Sequence, residues 1–515
     1  MTPIRIQDLA LELVQEIVLY VSQDWDKSFS REELGRLRLV SRPFKAVVDP
    51  LLFSEVRFDF IRRPVVGVLQ QLNDLAFHMT SVNRHIKTLK IESTEIHLSG
   101  PIAHGKYGFL LMNALKSLVN VRSIYWTLDR FEGIYTVLDG IVDLPLLEDI
   151  RFEFSTLPLL WQTTDMINLR RFAHLNSVGF RCRNASAPLA ASFIQQLRLI
   201  SSYKQTLQSL EIDFSDVVEG NLLGSDEVYP KHSILHELVR SIPQGTTLRL
   251  KHLRVSGWNF LLDSSTVPHL RCLSSLNIAS MEDTSSDHQM HIWHGMIKAG
   301  IQLQKIITAA ISKPLIRYLA SYTGLVELKF AYRMTNFEFT DDSDSSDALT
   351  AELCHSALPV HKKTLKIFEM LDRSDKSRCI TLDTISAIRT YERLESLTIT
   401  VRVEELDYPE NIKQIIIMAL EIPHLRILDI DYSRPRVIGH RCQCGNARRI
   451  RQTNDKFEAI ITSIDVLRQF TRSLGSTQII FNRKRYIAKV VENGRVQFQP
   501  ESRLARSGKW VSIEE

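Results

Sequence analysis

One short apolar pattern governs this chain. An aliphatic residue, two further residues, an apolar residue, one further residue and a second apolar residue return again and again between positions 84 and 433. The series runs Ile86-Leu89-Ile91, Val121-Ile124-Trp126, Leu147-Ile150-Phe152, Leu175-Val178-Phe180 and Leu207-Leu210-Ile212. It continues through Leu250-Leu253-Val255, Leu273-Leu276-Ile278, Leu325-Leu328-Phe330, Leu365-Phe368-Met370, Leu394-Leu397-Ile399 and Leu425-Leu428-Ile430. With 44% apolar residues in the chain, such a triad arises by chance at roughly one position in twelve. Context is therefore what gives the series meaning. Each triad reads as a short strand, and helical stretches are predicted between many of them, at Phe193–Ile200, Ile234–Arg240, Ile301–Ile311 and Ile412–Leu420.

A strand–helix unit repeated along a chain cannot bury its apolar face alone, so neighbours must stack. The series resembles leucine-rich repeats, in which the strand turns its apolar residues inward and the helix packs across the outside. The spacing is irregular, and the asparagine that usually follows the strand is mostly missing. Insertions at Ser215–Tyr229, Glu282–His294 and Asn336–Ala348 are expected to loop out. An α/β assembly of two or three open sheets is the alternative architecture.

Before the repeats, Leu9, Leu13, Ile17 and Val21 recur every fourth residue, with Val14 alongside, and paint one face of a helix behind Asp8. Ser30 and Glu33 have the capping-box spacing for a second helix carrying Leu34, Leu37, Leu39 and Val40. Pro43 ends it and opens a third, capped by Ser41 or Arg42, with Phe44, Val47 and Val48. So small a unit holds more large apolar groups than it can bury, and a partner or the following domain must cover the surplus. The strings Leu9–Val18 and Leu37-Arg38-Leu39-Val40-Ser41-Arg42-Pro43-Phe44-Lys45-Ala46-Val47-Val48, followed by Asp49-Pro50-Leu51-Leu52-Phe53, resemble an F-box of the fungal type. The family's frequent Leu-Pro opening is here Leu9-Ala10. A plain three-helix start to a helical domain is the simpler reading of the same residues.

The resemblance implies a Skp-type adaptor as partner, bound through Leu9, Leu13, Ile17, Leu37, Val40 and Phe44, and through it a cullin-RING ubiquitin ligase. The expected α/β architecture is an F-box at 1–60, a leucine-rich-repeat solenoid at 61–433, and a basic linker with a small α+β cap at 434–515. The competing function is a repeat scaffold that binds partners without any ligase. An unknown protein target is expected on the strand face. Side chains alternate along a strand, so Glu211, Asp213, Arg254, Asn277, Lys329, Thr398, Thr400, Asp429 and Asp431 should point away from the core. Asp213, Lys329 and Asp431 are the candidate target contacts, with Trp126, Trp258 and Tyr332 as aromatic anchors.

Other chemistries find little support. The glycine-rich nucleotide fingerprints, the nucleophile elbow and the His-Glu-x-x-His helix are all missing. No enzyme activity, metal or other cofactor is expected. His288, His291 and His294 beside Asp287 read as solvated, and His440, Cys442 and Cys444 lack the second ligand pair of a structural zinc site. The acidic run Asp341–Asp347 reads as a solvated insertion whose serines lie among acids. Net charge is +5 over 515 residues, too weak a bias to predict nucleic-acid binding. The arginines at 434, 436, 441, 448, 449 and 451 have no interleaved aromatic residues to stack bases, so a linker contacting an acidic partner, or nothing at all, is favoured over nucleic acid.

The N-terminus lacks a secretory pattern, and apolar runs such as Ile415–Leu420 are far shorter than the ~20 residues of a membrane span. Six scattered cysteines suit a reducing cytoplasmic or nuclear setting, and no membrane partner is expected. Beyond the arginines, a helix at Phe457–Phe470 and strands at Ile479–Phe481, Tyr486–Val491 and Val496–Phe498 are predicted. The last two strands would be turned by Asn493-Gly494.

Overall fold

A computed structural model describes residues 9–22, 33–59, 65–92, 101–128, 134–154, 169–172, 174–182, 195–198, 206–213, 234–240, 242–256, 261–280, 286–331, 343–371, 379–402, 408–432, 443–467, 477–481, 484–490 and 495–501. The chain divides into two units, Met1–Arg249 and Leu250–Glu515. The predicted boundaries at residues 60 and 433 fall inside them.

Unit 1 opens with helix α1 (Leu11–Ser22), a helical turn at residues 33–37 and helix α2 (Arg42–Leu52). Ser41 caps α2, its hydroxyl accepting from the Phe44 amide, and Pro43 sits in the first turn. A parallel sheet follows: β1 (Glu55–Asp59), β2 (Thr88–Glu92), β3 (Ser123–Leu128), β4 (Asp149–Phe154), β5 (Ser177–Cys182) and β6 (Ser209–Asp213), paired in that order. Helices Val65–Ala76, Pro101–Lys116 and Ile134–Val142 stand between successive strands, and adjacent ones pack together.

Unit 2 repeats the plan. Strands β7 (His252–Ser256), β8 (Ser275–Ser280), β9 (Lys305–Thr308), β10 (Glu327–Ala331), β11 (Ile367–Leu371), β12 (Ser396–Val401) and β13 (Ile427–Tyr432) pair in parallel, each with the next. Four strands then close the edge: β14 (Asp465–Leu467), β15 (Gln478–Phe481), β16 (Lys484–Val490) and β17 (Arg495–Pro500). Strand β15 joins β13 in parallel, and β16, β17 and β14 add on antiparallel. The last exposed edge is thus a strand of only three residues, too short to template another chain.

Every triad read from the sequence runs into one of these strands, its first residue just ahead of the strand and its last two within it, and those two are buried, from Leu89 and Ile91 through Leu428 and Ile430. A backbone ladder holds the units in register. Arg122 and Ser123 N–H both donate to Lys87 O, Glu148 and Asp149 N–H to Arg122 O, Asn176 and Ser177 N–H to Glu148 O, and Gln208 and Ser209 N–H to Asn176 O. Unit 2 does the same at Lys251, Ser274, Gln304, Val326, Lys366 and Glu395. Threonine hydroxyls ahead of three strands add to this ladder. Thr206, Thr364 and Thr477 hydroxyls donate to the carbonyls of Leu175, Leu325 and Leu425 in the preceding unit.

The structure corrects several expectations. Ile301–Ile311 is strand β9 rather than a helix: Leu303 and Ile306 are inward and buried, but Thr308 takes the third position and hides the pattern. Helices Ser286–Ala299 and Ser343–Glu352 occupy parts of two expected loops. The first ends at Gly300 (φ 65°), whose left-handed conformation lets Ile301 N–H reach Met296 O. The C-terminal helix is Gln443–Thr462, so Arg448, Arg449 and Arg451 are helical rather than part of a linker. Trp126 is buried in the core and cannot anchor a partner. Trp258, Tyr332, Asp8, Ser30, the insertion 215–229, Arg434, Arg436, Arg441, Cys442 and Asn493-Gly494 lie outside the described residues.

Buried polar side chains also join units. In unit 2, Trp293, Tyr318, Tyr322 and His361 form a ring stack with centroid spacings of 5.2, 4.9 and 5.1 Å. Tyr318 hydroxyl donates to Ile301 O and accepts from Leu303 N–H, while Tyr322 hydroxyl donates to Leu303 O. His361 is fully buried. Its Nδ1 accepts from Leu325 N–H at 3.3 Å and its Nε2 lies 3.0 Å from Leu319 O, which fixes the neutral tautomer with the proton on Nε2. Burial pushes its pKa down to about 4, against the opposing pull of the Leu319 carbonyl. An unfolded histidine takes its proton first, near 6.5, so this contribution to stability is full above that pH and is lost as pH falls toward 4. Stability should drop by about 2 kcal/mol between pH 7 and pH 5 on this account. In His361→Gln that share of the pH dependence should vanish, read from thermal melts across the same range.

Candidate functional site

Two surfaces carry the features expected of a binding protein. The first is the N-terminal module. Val14, Val18, Leu34, Phe44 and Val48 form its core, with Leu9, Leu37, Val47 and Leu52 packed against them. Helix α1 is rich in apolar residues, yet among its described side chains, residues 11–19, Val14 and Val18 alone are buried. Leu13 remains 49% exposed and Ile17 40% on one flank, with Leu11 and Leu19 exposed on the other. Leu39, Val40 and Leu51 add to this surface from the turn and from α2. Of the residues expected to meet an adaptor, Leu13, Ile17 and Val40 are thus presented, Leu9 and Leu37 are partly buried, and Phe44 belongs to the module's own core.

The module is braced internally and joined closely to the sheet. Asp49, almost fully buried, takes Arg38 Nε at 2.5 Å, and the Arg38 guanidinium lies over the Phe53 ring at 5.1 Å. Only Phe53 and Ser54 separate α2 from β1, and Ser54 O accepts both Lys87 and Thr88 N–H. Helix α2 also packs against the 3₁₀ turn Ser81–His85.

The second surface is the outward face of the strands. In unit 1 the register aligns Arg57, Lys90, Tyr125, Arg151, Gly179 and Glu211 in one row. Tyr125 lies between two cations, with Lys90 Nζ 5.8 Å and Arg151 Cζ 5.1 Å from its ring centroid. Its hydroxyl donates to Asp149 at 3.3 Å, and burial, with Asp149 nearby, raises its pKa. Arg151 reaches Asp149 on its own strand and then passes over β5 to Glu211 at 3.2 Å. It can do so because Gly179 has no side chain there: a Cβ would sit 2.9 Å from Arg151 Cγ.

Several acids on this face lie low beneath cations, Asp59 and Asp213 most of all. Arg57 bridges Glu92 and Asp59, Lys90 meets Glu55 at 2.8 Å, and Arg181 meets Asp213 at 3.2 Å. Asp213 is only 1% exposed, so its carboxylate lies beneath Arg181 and is not presented to a partner. That corrects its place among the target contacts. In unit 2, Lys329 is held by Glu327 at 3.3 Å and Glu369 at 3.2 Å. Burial opposes its charge, but those two carboxylates raise its pKa. Asp431 is half-buried, and its Oδ1 accepts from Tyr432 N–H. Thr398 and Thr400, expected on the partner-facing side, are buried, the latter donating to Met370 O at 3.0 Å.

The row of Lys90, Tyr125, Arg151 and Gly179 escaped the sequence reading. All four stand at the same step of the triad, one residue before its last apolar position, and aligning the triads would have placed them together.

Burial, with Asp213 and Asp383 respectively nearby, pushes the Cys182 and Cys354 thiols up to about 12, far from thiolate character. His355 and Asp383 pair at 2.7 Å in solvent, and the neighbouring Cys354 is turned into the core. Among the described residues no three His, Cys, Asp or Glu side chains are placed to hold a metal, and no helix is long and apolar enough to cross a membrane.

No family model matches the chain, and no curated protein matches it. Among solved structures it is similar to the yeast Rad7–Elc1 complex, at 15% identity and a TM-score of 0.39, over 85% of this chain and 97% of that one. A Bacteroides fragilis protein is similar at 12% identity and a TM-score of 0.24, over 75% of this chain and 81% of that one.

The Gly179 gap is open to direct test. A double-mutant cycle between Arg151→Gln and Glu211→Gln should give a coupling of about 0.5 kcal/mol, as for a half-exposed pair. In a Gly179→Ala background the added methyl lifts Arg151 away, and the coupling measured by denaturant unfolding should fall to zero.

Proposed function

We propose that this chain is the substrate-recognition subunit of a cullin-RING ubiquitin ligase of the SCF type. The N-terminal module would seat on a Skp-type adaptor, and the strand faces would hold a protein target. The chain would act by proximity and perform no chemistry of its own, in the cytoplasm or nucleus. One observation carries the reading: a module with a five-residue core leaves Leu11, Leu13, Ile17, Leu39 and Val40 in solvent. Monomeric proteins rarely expose so concentrated an apolar surface unless a partner covers it.

The junction to the sheet supports the same reading. A receptor that works by proximity must hold its target at a fixed place relative to the ligase. Two residues between α2 and β1, the Ser54 carbonyl bonds and the packing of α2 on the Ser81–His85 turn give little freedom for the module to swing. The strand faces offer dense arrays of ion-paired side chains with aromatic Tyr125 among them, which suits a protein surface. A repeat scaffold without a ligase would use the strand faces equally well, but it has no use for the exposed α1 flank.

Leu13 and Ile17 separate binding from folding because they are exposed before any partner arrives. Leu13→Asp and Ile17→Asp should each weaken capture of a purified Skp-type adaptor by about a hundredfold, since the complex would bury an unpaired charge. Their melting temperatures should stay near that of the parent. Val14→Asp, by contrast, should unfold the module. Undiminished adaptor binding by both surface variants would exclude the ligase role and leave the scaffold.

A further inference from the structure

We propose that the C-terminal helix Gln443–Thr462 docks an acidic protein segment. The helix runs for 20 residues, yet its packing begins late. Phe457, Ile460 and Ile461 are buried, and Phe457 stacks on Tyr432 at 5.9 Å and on Phe481 at 4.6 Å. Asn454 accepts from the Tyr432 hydroxyl. Before that anchor, Arg448, Ile450, Arg451 and Gln452 are all exposed. Ile450, Phe457 and Ile461 share one stripe of the helix, seven and eleven residues apart. The stripe that the sheet covers at Phe457 therefore continues into solvent at Ile450, which is 40% exposed.

Charge distinguishes this helix from the strand faces. On the strand faces, Arg57, Lys90, Arg151, Arg181, Lys305 and Lys329 each hold at least one carboxylate. Arg448 and Arg451 make no ion pair or hydrogen bond among the described residues. Between positions 434 and 456 the sequence sets Arg434, Arg436, Arg441, Arg448, Arg449, Arg451 and Lys456 against Asp455 alone. The first helical turn has no acidic residue to offset its own positive end. Nearly all these cations are guanidinium groups, whose planar fork takes a carboxylate in a bidentate manner.

A protein segment fits better than a phosphate backbone. Asp455 follows Arg448 by seven residues and shares its stripe, so it would repel a continuous run of phosphates, whereas discrete carboxylates can sit on either side of it. Arg451 lies between the Arg448 and Ile450 stripes, so a partner reaching both arginines also meets an aliphatic side chain. A phosphate backbone has nothing to offer there, and the exposed residues of the helix include no aromatic ring for a base to stack on. Clustered Asp or Glu around one aliphatic residue is the matching chemistry.

The test uses the full chain and two labelled probes, a short peptide of glutamates around one leucine and a short duplex DNA, followed by fluorescence anisotropy. The peptide should bind, and Arg448→Gln with Arg451→Gln should weaken it about tenfold. Lys298→Gln with Lys313→Gln makes the same charge change in the same unit and should leave binding unchanged. Circular dichroism of the arginine variant should be unaltered, since both side chains are exposed and glutamine is helix-compatible. Three results would each overturn the proposal: no binding of the peptide, peptide binding indifferent to the two arginines, or duplex bound more tightly than peptide through the same pair.

Discussion

At the head of nearly every strand, one backbone carbonyl accepts the amides of two consecutive residues in the next unit. Lys87, Arg122, Glu148 and Asn176 do this in unit 1, and Lys251 through Glu395 in unit 2. Buried amides that lack a partner are costly, so each unit can exist only against its successor. Pairing at the strand head also leaves no freedom of register, because a one-residue slip would turn every apolar side chain outward. The irregular lengths between units follow from the same constraint. The ladder fixes only the strand and its entry, and the connecting segment may vary so long as it returns to the next carbonyl.

Fixed register turns outward side chains into rows, and the rows set the chemistry of each face. Neighbouring strands stand about 4.8 Å apart, close enough for Lys90 and Arg151 to flank Tyr125 and for Lys329 to meet carboxylates on its own strand and the next. Charges in such rows neutralise one another before any partner arrives. A partner therefore competes with existing ion pairs, and what it meets first is the exposed layer: Arg57, Arg151 and Arg181 over acids such as Asp59, Glu211 and Asp213. Single charges counted along the sequence say little about that layer, because they do not show which member of each pair lies on top.

This is also why some of the structure was legible and some was not. The inward positions follow from a two-residue alternation that any apolar strand must obey, so Leu210, Ile212, Leu397 and Ile399 are buried as their spacing demands. Units with an unusual first or last residue were hidden from the same rule. Phe53-Val56-Phe58 opens the sheet with an aromatic residue, and Leu303-Ile306-Thr308 ends on a hydroxyl. Outward positions depend on the height of their neighbours. On β12, Ser396, Thr398 and Thr400 are short, and Ile367 and Glu369 on one side and Ile427 and Asp429 on the other stand beside them. Thr398 is consequently buried although it faces away from the core. Gly179 matters through a contact that it permits between Arg151 and Glu211, and no propensity encodes that.

The N-terminal module obeys the opposite logic to the repeats. A repeat unit covers its apolar surface with its neighbour, and the last parallel strand is covered by the antiparallel strands β16, β17 and β14 joined through β15. In unit 1, by contrast, α1 keeps Leu13 and Ile17 uncovered while Val14 and Val18, one residue away on the same helix, are fully buried. Exchanging Leu13 and Ile17 for polar residues would cost the module none of its own core, so folding gives no reason for leucine and isoleucine there. The same holds for Leu39, the most exposed of the set at 81%. In the adaptor complex proposed above, these exposed apolar residues gain the burial they lack in the free module, on a helix packed through Val14 and Val18 against α2, which Phe53 and Ser54 join to β1. The position of that complex relative to the strand face of unit 1 is then set by the fold itself.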